Sequence, residues 1–130
     1  MEHVTQVDMN GCVAACLAMV TGDHYYGSLR FFRKRNFDQH GITMIECMSV
    51  LDMLGYKSHF LDGKIDLDKL DKDAILMISG DVVLGSIAQH AVVWDSKAKK
   101  IRDPNVGFQT YRHDSKKSYA KRCLAALVMD

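Results

Sequence analysis

Apolar residues recur three or four positions apart over the first part of the chain and crowd into short continuous runs over the second. Val13, Cys16, Leu17 and Val20 fall on one helical face, with Asn10 where an N-cap belongs and Gly22 where the helix stops. The same spacing predicts a second helix over about Tyr26 to Lys34 and a loop at Asp38-Gln39-His40-Gly41. A third helix, capped by Thr43 and ended by Gly55, carries Ile45, Met48, Leu51 and Met44 as its expected buried stripe. From Tyr56 the period changes. Tyr56 to Leu61 is a strand candidate, Leu67 to Leu70 at most a helical turn, and Ala74 to Ile78 a run suited to a buried strand. Gln89 to Asp95, Lys100 to Asp103, Phe108 to Arg112 and Leu124 to Met129 follow as strands between polar turns. Helices first and sheet second indicate α+β, with N-terminal helices packed on a C-terminal antiparallel sheet, rather than a βαβ repeat.

Composition narrows the function more than the fold. With 130 residues, 48% of them hydrophobic, the chain is expected to form one domain over residues 1–130 and to need no metal or disulfide to hold its core. Seventeen basic against sixteen acidic residues leave a net charge of +1, which excludes the cationic footprint of a nucleic-acid-binding domain. The local clusters Arg30, Arg33, Lys34, Arg35 and Lys97, Lys99, Lys100, Arg102 read as solvated faces or turns. No apolar run approaches the roughly 18 residues of a membrane span, and Met1 to Gln6 lacks the basic start and apolar middle of a signal peptide. The expected location is the cytoplasm, with no membrane partner. There the thiols of Cys12, Cys16, Cys47 and Cys123 stay reduced, and their spacing is not that of a disulfide framework.

Candidate chemistry begins with Cys12. It falls in the first turn of a predicted helix, where unpaired N–H groups and the positive end of the helix dipole favour a thiolate. His90 and Asp103 stand near the open ends of two strand candidates joined through Ser96-Lys97-Ala98-Lys99. With the hairpin centred between Ser96 and Lys97 the two residues face one another, close enough for a carboxylate to accept from an imidazole N–H. A slip of one residue would put them on opposite faces. Cysteine, imidazole and acid together satisfy the logic of nucleophile, base and orienting group.

These residues carry a family resemblance over about residues 4 to 110. Gln6, five residues, then Gly11-Cys12-Val13-Ala14-Ala15-Cys16-Leu17-Ala18-Met19 resembles the nucleophile segment of papain-like peptidases that process bacteriocin leader peptides, and of their stand-alone relatives. Gln89-His90-Ala91-Val92-Val93-Trp94 is similar to the family's histidine strand, and Asp103-Pro104-Asn105-Val106-Gly107 to its Asp-Pro-x-x-Gly segment. The resemblance implies a papain-like fold with Cys12 as nucleophile, His90 as base, Asp103 as orienting acid, and Gln6 with the Cys12 N–H as oxyanion donors. Val13 and Gln89 stand where the family has glycine, and both add bulk beside the cleft that a Gly-Gly leader peptide would enter.

The implied activity is hydrolysis of a peptide or isopeptide bond in a peptide or protein substrate, without a cofactor. Deamidation of a Gln side chain and acyl transfer to an amine start from the same attack and stay open at this point. So does a catalytically silent module that keeps the fold to hold a peptide. The size and expected address suit a protein of phage or mobile-element origin acting on a host protein. Zinc on Cys12 and Cys16 with His90 or Cys123 is the metal alternative, but the second closely spaced pair of a structural site is missing, and Cys16 reads as core. Met19, Met44, Met48, Met53 and Met77 read as core filler, Trp94 as core or cleft wall, and His24, Tyr25 and Tyr26 as a substrate rim.

Overall fold

The computed structural model describes residues 1–32, 42–83, 86–106 and 115–130. Helix α1 spans Cys12–Thr21 and ends on Gly22, whose φ of 74° is the left-handed geometry that glycine adopts without strain. Helix α2, Tyr25–Leu29, runs on into a 3-10 turn at Arg30–Phe32. The predicted end of that segment at Lys34, the Arg33-Lys34-Arg35 cluster and the 38–41 loop lie outside the described residues. Helix α3 spans Met44–Met53, and the Thr43 side chain accepts from Glu46 N–H as expected. Its buried stripe is Met44, Cys47, Val50 and Leu51; Ile45, predicted to be inside, is 71% exposed. The expected stripe holds at Met44 and Leu51 and fails at Ile45, because Cys47 and Val50, both small, carry the rest of the buried face that a count of long side chains overlooks.

Five antiparallel strands form one sheet in the order β1-β5-β2-β3-β4. They are β1 Ser58–Asp62, β2 Ala74–Val83, β3 Ser86–Asp95, β4 Lys100–Arg102 and β5 Cys123–Met129. The Leu67–Lys69 segment is a 3-10 turn. Helix α4, Lys116–Arg122, is absent from the sequence expectation; its Ser115 cap accepts from Ser118 N–H at 3.1 Å, and Tyr119 is its one buried residue. The predicted strand from Phe108 to Arg112 lies outside the described residues.

The central strands are buried on both faces. Ile75, Ala91, Val93 and Leu127 pack with α1, α2 and α3 on one side of the sheet. Leu76, Val92, Trp94 and Ala126 pack with Tyr119 and Leu67 on the other. This double cover explains why these strands read as continuous apolar runs rather than alternating ones. Trp94 is core, with Nε1 donating to Leu70 O at 2.9 Å. Among the described residues no helix is long and apolar enough to cross a membrane.

Candidate active site

Helix α1 opens on Cys12 itself. Gly11 occupies the cap position in place of the expected Asn10, and no side chain closes the first turn, so the cysteine stands at the exposed end of the helix N–H groups. A Cβ at Gly11 would lie 2.0 Å from Tyr25 Oη, so only glycine lets α1 start this close to α2. Tyr25 in turn donates to Asp8 Oδ2 at 2.7 Å and accepts from Asp8 N–H at 3.2 Å, which fastens the turn before Cys12. Burial and that hydrogen bond push the phenol well above its usual value. Tyr25 is thus a buried support and not part of a substrate rim. His24 is also structural, its Nδ1 accepting from Gly27 N–H at 3.0 Å, whereas Tyr26 is exposed.

His90 lies where β3 loses its neighbour. β4 pairs only with Val93, Trp94 and Asp95, and Asp103 follows β4 directly, so the chain leaves the sheet edge beside His90. The hairpin is centred between Lys97 and Ala98, not between Ser96 and Lys97. Asp95 accepts from Ala98 N–H at 3.2 Å and from Arg102 Nε at 2.8 Å, and Lys99 takes φ 56° at the end of the turn. The expected direct pairing of His90 with Asp103 is therefore displaced by two residues. A shift of two keeps both side chains on one face, and His90 Nε2 and Asp103 Oδ1 lie 2.6 Å apart.

Asp103 is fully buried, and three groups donate to it. Asn105 N–H reaches Oδ1 at 2.9 Å and Tyr119 Oη reaches Oδ2 at 2.6 Å, beside the His90 contact. Burial opposes the charge on this carboxyl, but these hydrogen bonds and the charge on His90 outweigh it and hold the group below the usual carboxylate range. For His90, burial favours the neutral ring. Hydrogen bonds to Asp103 and to the Cys12 thiol, with the charges they carry, overcome that, and the imidazole is pushed up to about 9. With Nε2 committed to Asp103, Nδ1 is the nitrogen left for the thiol.

Gln6 is held against the same corner. Its backbone N–H donates to Pro104 O at 3.0 Å, and Thr5 Oγ1 donates to Val106 O at 2.9 Å, so the N-terminal segment runs beside the Asp-Pro loop. The Gln6 side chain is 2% exposed and donates from Nε2 to Asp8 O and Met9 O at 2.9 and 3.1 Å. Read by residue type alone this glutamine would be an exposed polar residue; it is a buried brace for the turn leading to Cys12. Its Oε1 is buried and has no hydrogen-bond partner among the described residues.

Cys12 and His90 open into a groove of about 820 Å³. Met77 and Ala125 from the sheet lie along it, with Thr43, Met44 and Ile45 from the start of α3. Of the methionines read as filler, Met19 and Met44 are buried, Met44 and Met77 also reach the groove, and Met53 is exposed. Gln89 is exposed at the groove, while Val13 borders it with its side chain only 2% exposed. The other thiols are set apart by burial, which pushes Cys16 far up, Cys47 up to about 12 and Cys123 upward. Cys123 packs in the core on the far face of the sheet from Cys16, and among the described residues no three His, Cys, Asp or Glu side chains gather as a ligand set.

The sequence reading missed Tyr119 and took the buried Tyr25 for a rim residue. The Ser115 cap and a lone aromatic between charged residues were the available signal for the first, and Gly11 before the cysteine for the second.

No family model and no curated protein matches the chain. Among solved structures it is similar to the crystal structure of the peptidase domain of Streptococcus ComA, a bifunctional ABC transporter involved in a quorum-sensing pathway. The two share a TM-score of 0.66 and 20% identity over 98% of this chain and 96% of that one. The chain therefore has the α+β, papain-like fold of that peptidase domain.

Proposed function

We propose that the protein is a cysteine peptidase in which Cys12 attacks the carbonyl carbon of a peptide or isopeptide bond. The observation that carries this reading is the 2.6 Å His90–Asp103 contact, closed onto Cys12 at the first residue of α1 and inside an open groove. His90 as imidazolium stabilises the thiolate, then gives its proton to the leaving amine; water attacks the thioester after His90 has taken a proton from it. Asp103 fixes the ring and supports its charge. The Cys12 N–H and the Gln6 amide serve the oxyanion, Gln6 exchanging one of its bonds to the 8–9 turn for the developing charge. Deamidation and acyl transfer share the first step, and the similarity of fold to a peptidase domain favours hydrolysis.

The test needs no known substrate. At about pH 6 a thiol of ordinary pKa ~8.5 is almost wholly protonated. Alkylation followed by mass spectrometry is expected to label Cys12 fast and the other three cysteines slowly, and His90→Ala is expected to abolish the difference. Slow labelling of Cys12 in folded protein would move the function to a silent peptide-binding module.

A further inference from the structure

We propose that the groove takes an extended peptide laid across the sheet, and that Asp62 at its far end selects a lysine or arginine four or five residues from the bond that is cut. This rests on the peptidase reading and adds to it the class of substrate. Strand register supplies the path. Ala91, Met77, Ala125 and Asp62 are successive Cα partners across β3, β2, β5 and β1, and Ala91 adjoins His90. Met77, Ala125 and Asp62 all border the groove, as does Phe60 on the same face of β1. The start of α3 lines the groove as well, with Ile45 exposed there.

Neighbouring strands lie ~4.8 Å apart, so three steps place Asp62 roughly 14 Å from the strand that carries His90. An extended chain advances about 3.4 Å per residue and covers that span in about four residues. Between the two ends the groove meets Met77, Ala125, Phe60 and Ile45, which suit apolar side chains. Asp62 is different. It is exposed, it is the one carboxylate along the groove among the described residues, and within that set its carboxylate makes no hydrogen bond or ion pair. A substrate cation would meet an unengaged carboxylate there, with no competing partner to displace. Exposed pairs of this kind discriminate by about two- to fivefold.

The experiment uses peptides made from a bacterial proteome by cleavage after acidic residues, so that lysine and arginine remain internal. They are incubated with the wild-type protein, and the new termini are mapped by mass spectrometry against a Cys12→Ala control. Lysine and arginine should be enriched about two- to fivefold four or five residues to one side of the cut. Asp62→Asn should remove that enrichment, and Asp62→Lys, tested on peptides made by cleavage after lysine and arginine so that acidic residues remain internal, should enrich aspartate and glutamate there instead. Cleavage with no basic enrichment, or with the same enrichment in Asp62→Asn, overturns the inference and leaves the peptidase reading standing. Absence of any cut beyond the Cys12→Ala control fails the peptidase reading itself, and this inference falls with it.

Discussion

Tyr119 donates its hydroxyl to Asp103 Oδ2 at 2.6 Å from a fully buried position, while His90 meets Oδ1 of the same carboxylate at the same distance. The far layer of the sheet thereby sets the angle at which the acid addresses the imidazole. Tyr119→Phe keeps the ring in the core and removes one hydrogen bond to a charged group, so a loss of about 1.5–3 kcal/mol is expected in urea denaturation. The carboxylate, relieved of that donor, concentrates its charge on His90. The alkaline limb of the rate profile should therefore move to higher pH. Unchanged stability together with an unchanged limb would show that the hydroxyl does not support the acid.

A second prediction concerns that limb. His90 is held protonated up to about 9, above the ordinary histidine value of ~6.5. Its contribution to stability is then complete below about pH 6.5 and is lost as pH rises through 9. Denaturation midpoints should fall over that window, and kcat/KM should fall above about pH 9 as the proton donor disappears. Asp103→Asn removes the charge that raises the imidazole and leaves its burial. The limb should move down, and the rate should drop about a hundredfold or more. A limb that stays near 9 in this variant would mean that Asp103 does not set the imidazole.

Much of this was legible in residue order. Cys12, His90 and Asp103 are each signalled by local context, and parity along a strand survived an error of register because the true centre of the turn lies one residue further on, which moves each partner by two. The order of helices and strands was equally plain, since α1 announces itself by its period and its Gly22 stop and α3 by its Thr43 cap. What stayed hidden depends on tertiary contact. Helix α4 is short and polar apart from Tyr119, and nothing local says that this ring turns inward to reach Asp103. Gln6 looks like surface because its partners are backbone carbonyls, which a sequence does not display. Asp62 gains its place only from strand pairing across the sheet.

The two positions beside the cleft that differ from the family's glycines should behave differently. Val13 has its side chain in the core, so Val13→Gly removes buried surface and adds a helical glycine, together about 2–4 kcal/mol. Gln89 is exposed at the groove next to His90. Gln89→Ala is expected to stay within about 0.5 kcal/mol of the wild type while changing which residues are accepted next to the cut. Thermal denaturation and terminus mapping on the same two variants separate packing from access. Equal stability of Val13→Gly and the wild type would place Val13 in the cleft instead.

Gly11 offers a test of how Cys12 is positioned. An added Cβ would sit 2.0 Å from Tyr25 Oη and 2.9 Å from Tyr25 Cζ, so Gly11→Ala must push the ring away and break its two hydrogen bonds with Asp8. Overpacking of this kind costs about 1–3 kcal/mol. Cys12 moves with the helix start, so alkylation at about pH 6 should slow in the same variant. Tyr25→Phe removes the nearest atom of the clash but also the hydrogen bonds, and is destabilising by itself. In the double variant the hydrogen bonds are already lost and the worst contact is gone. The two losses should therefore sum to less than additive, with a coupling of about 0.5–3 kcal/mol. Strict additivity would mean that Tyr25 and the residue before Cys12 do not touch.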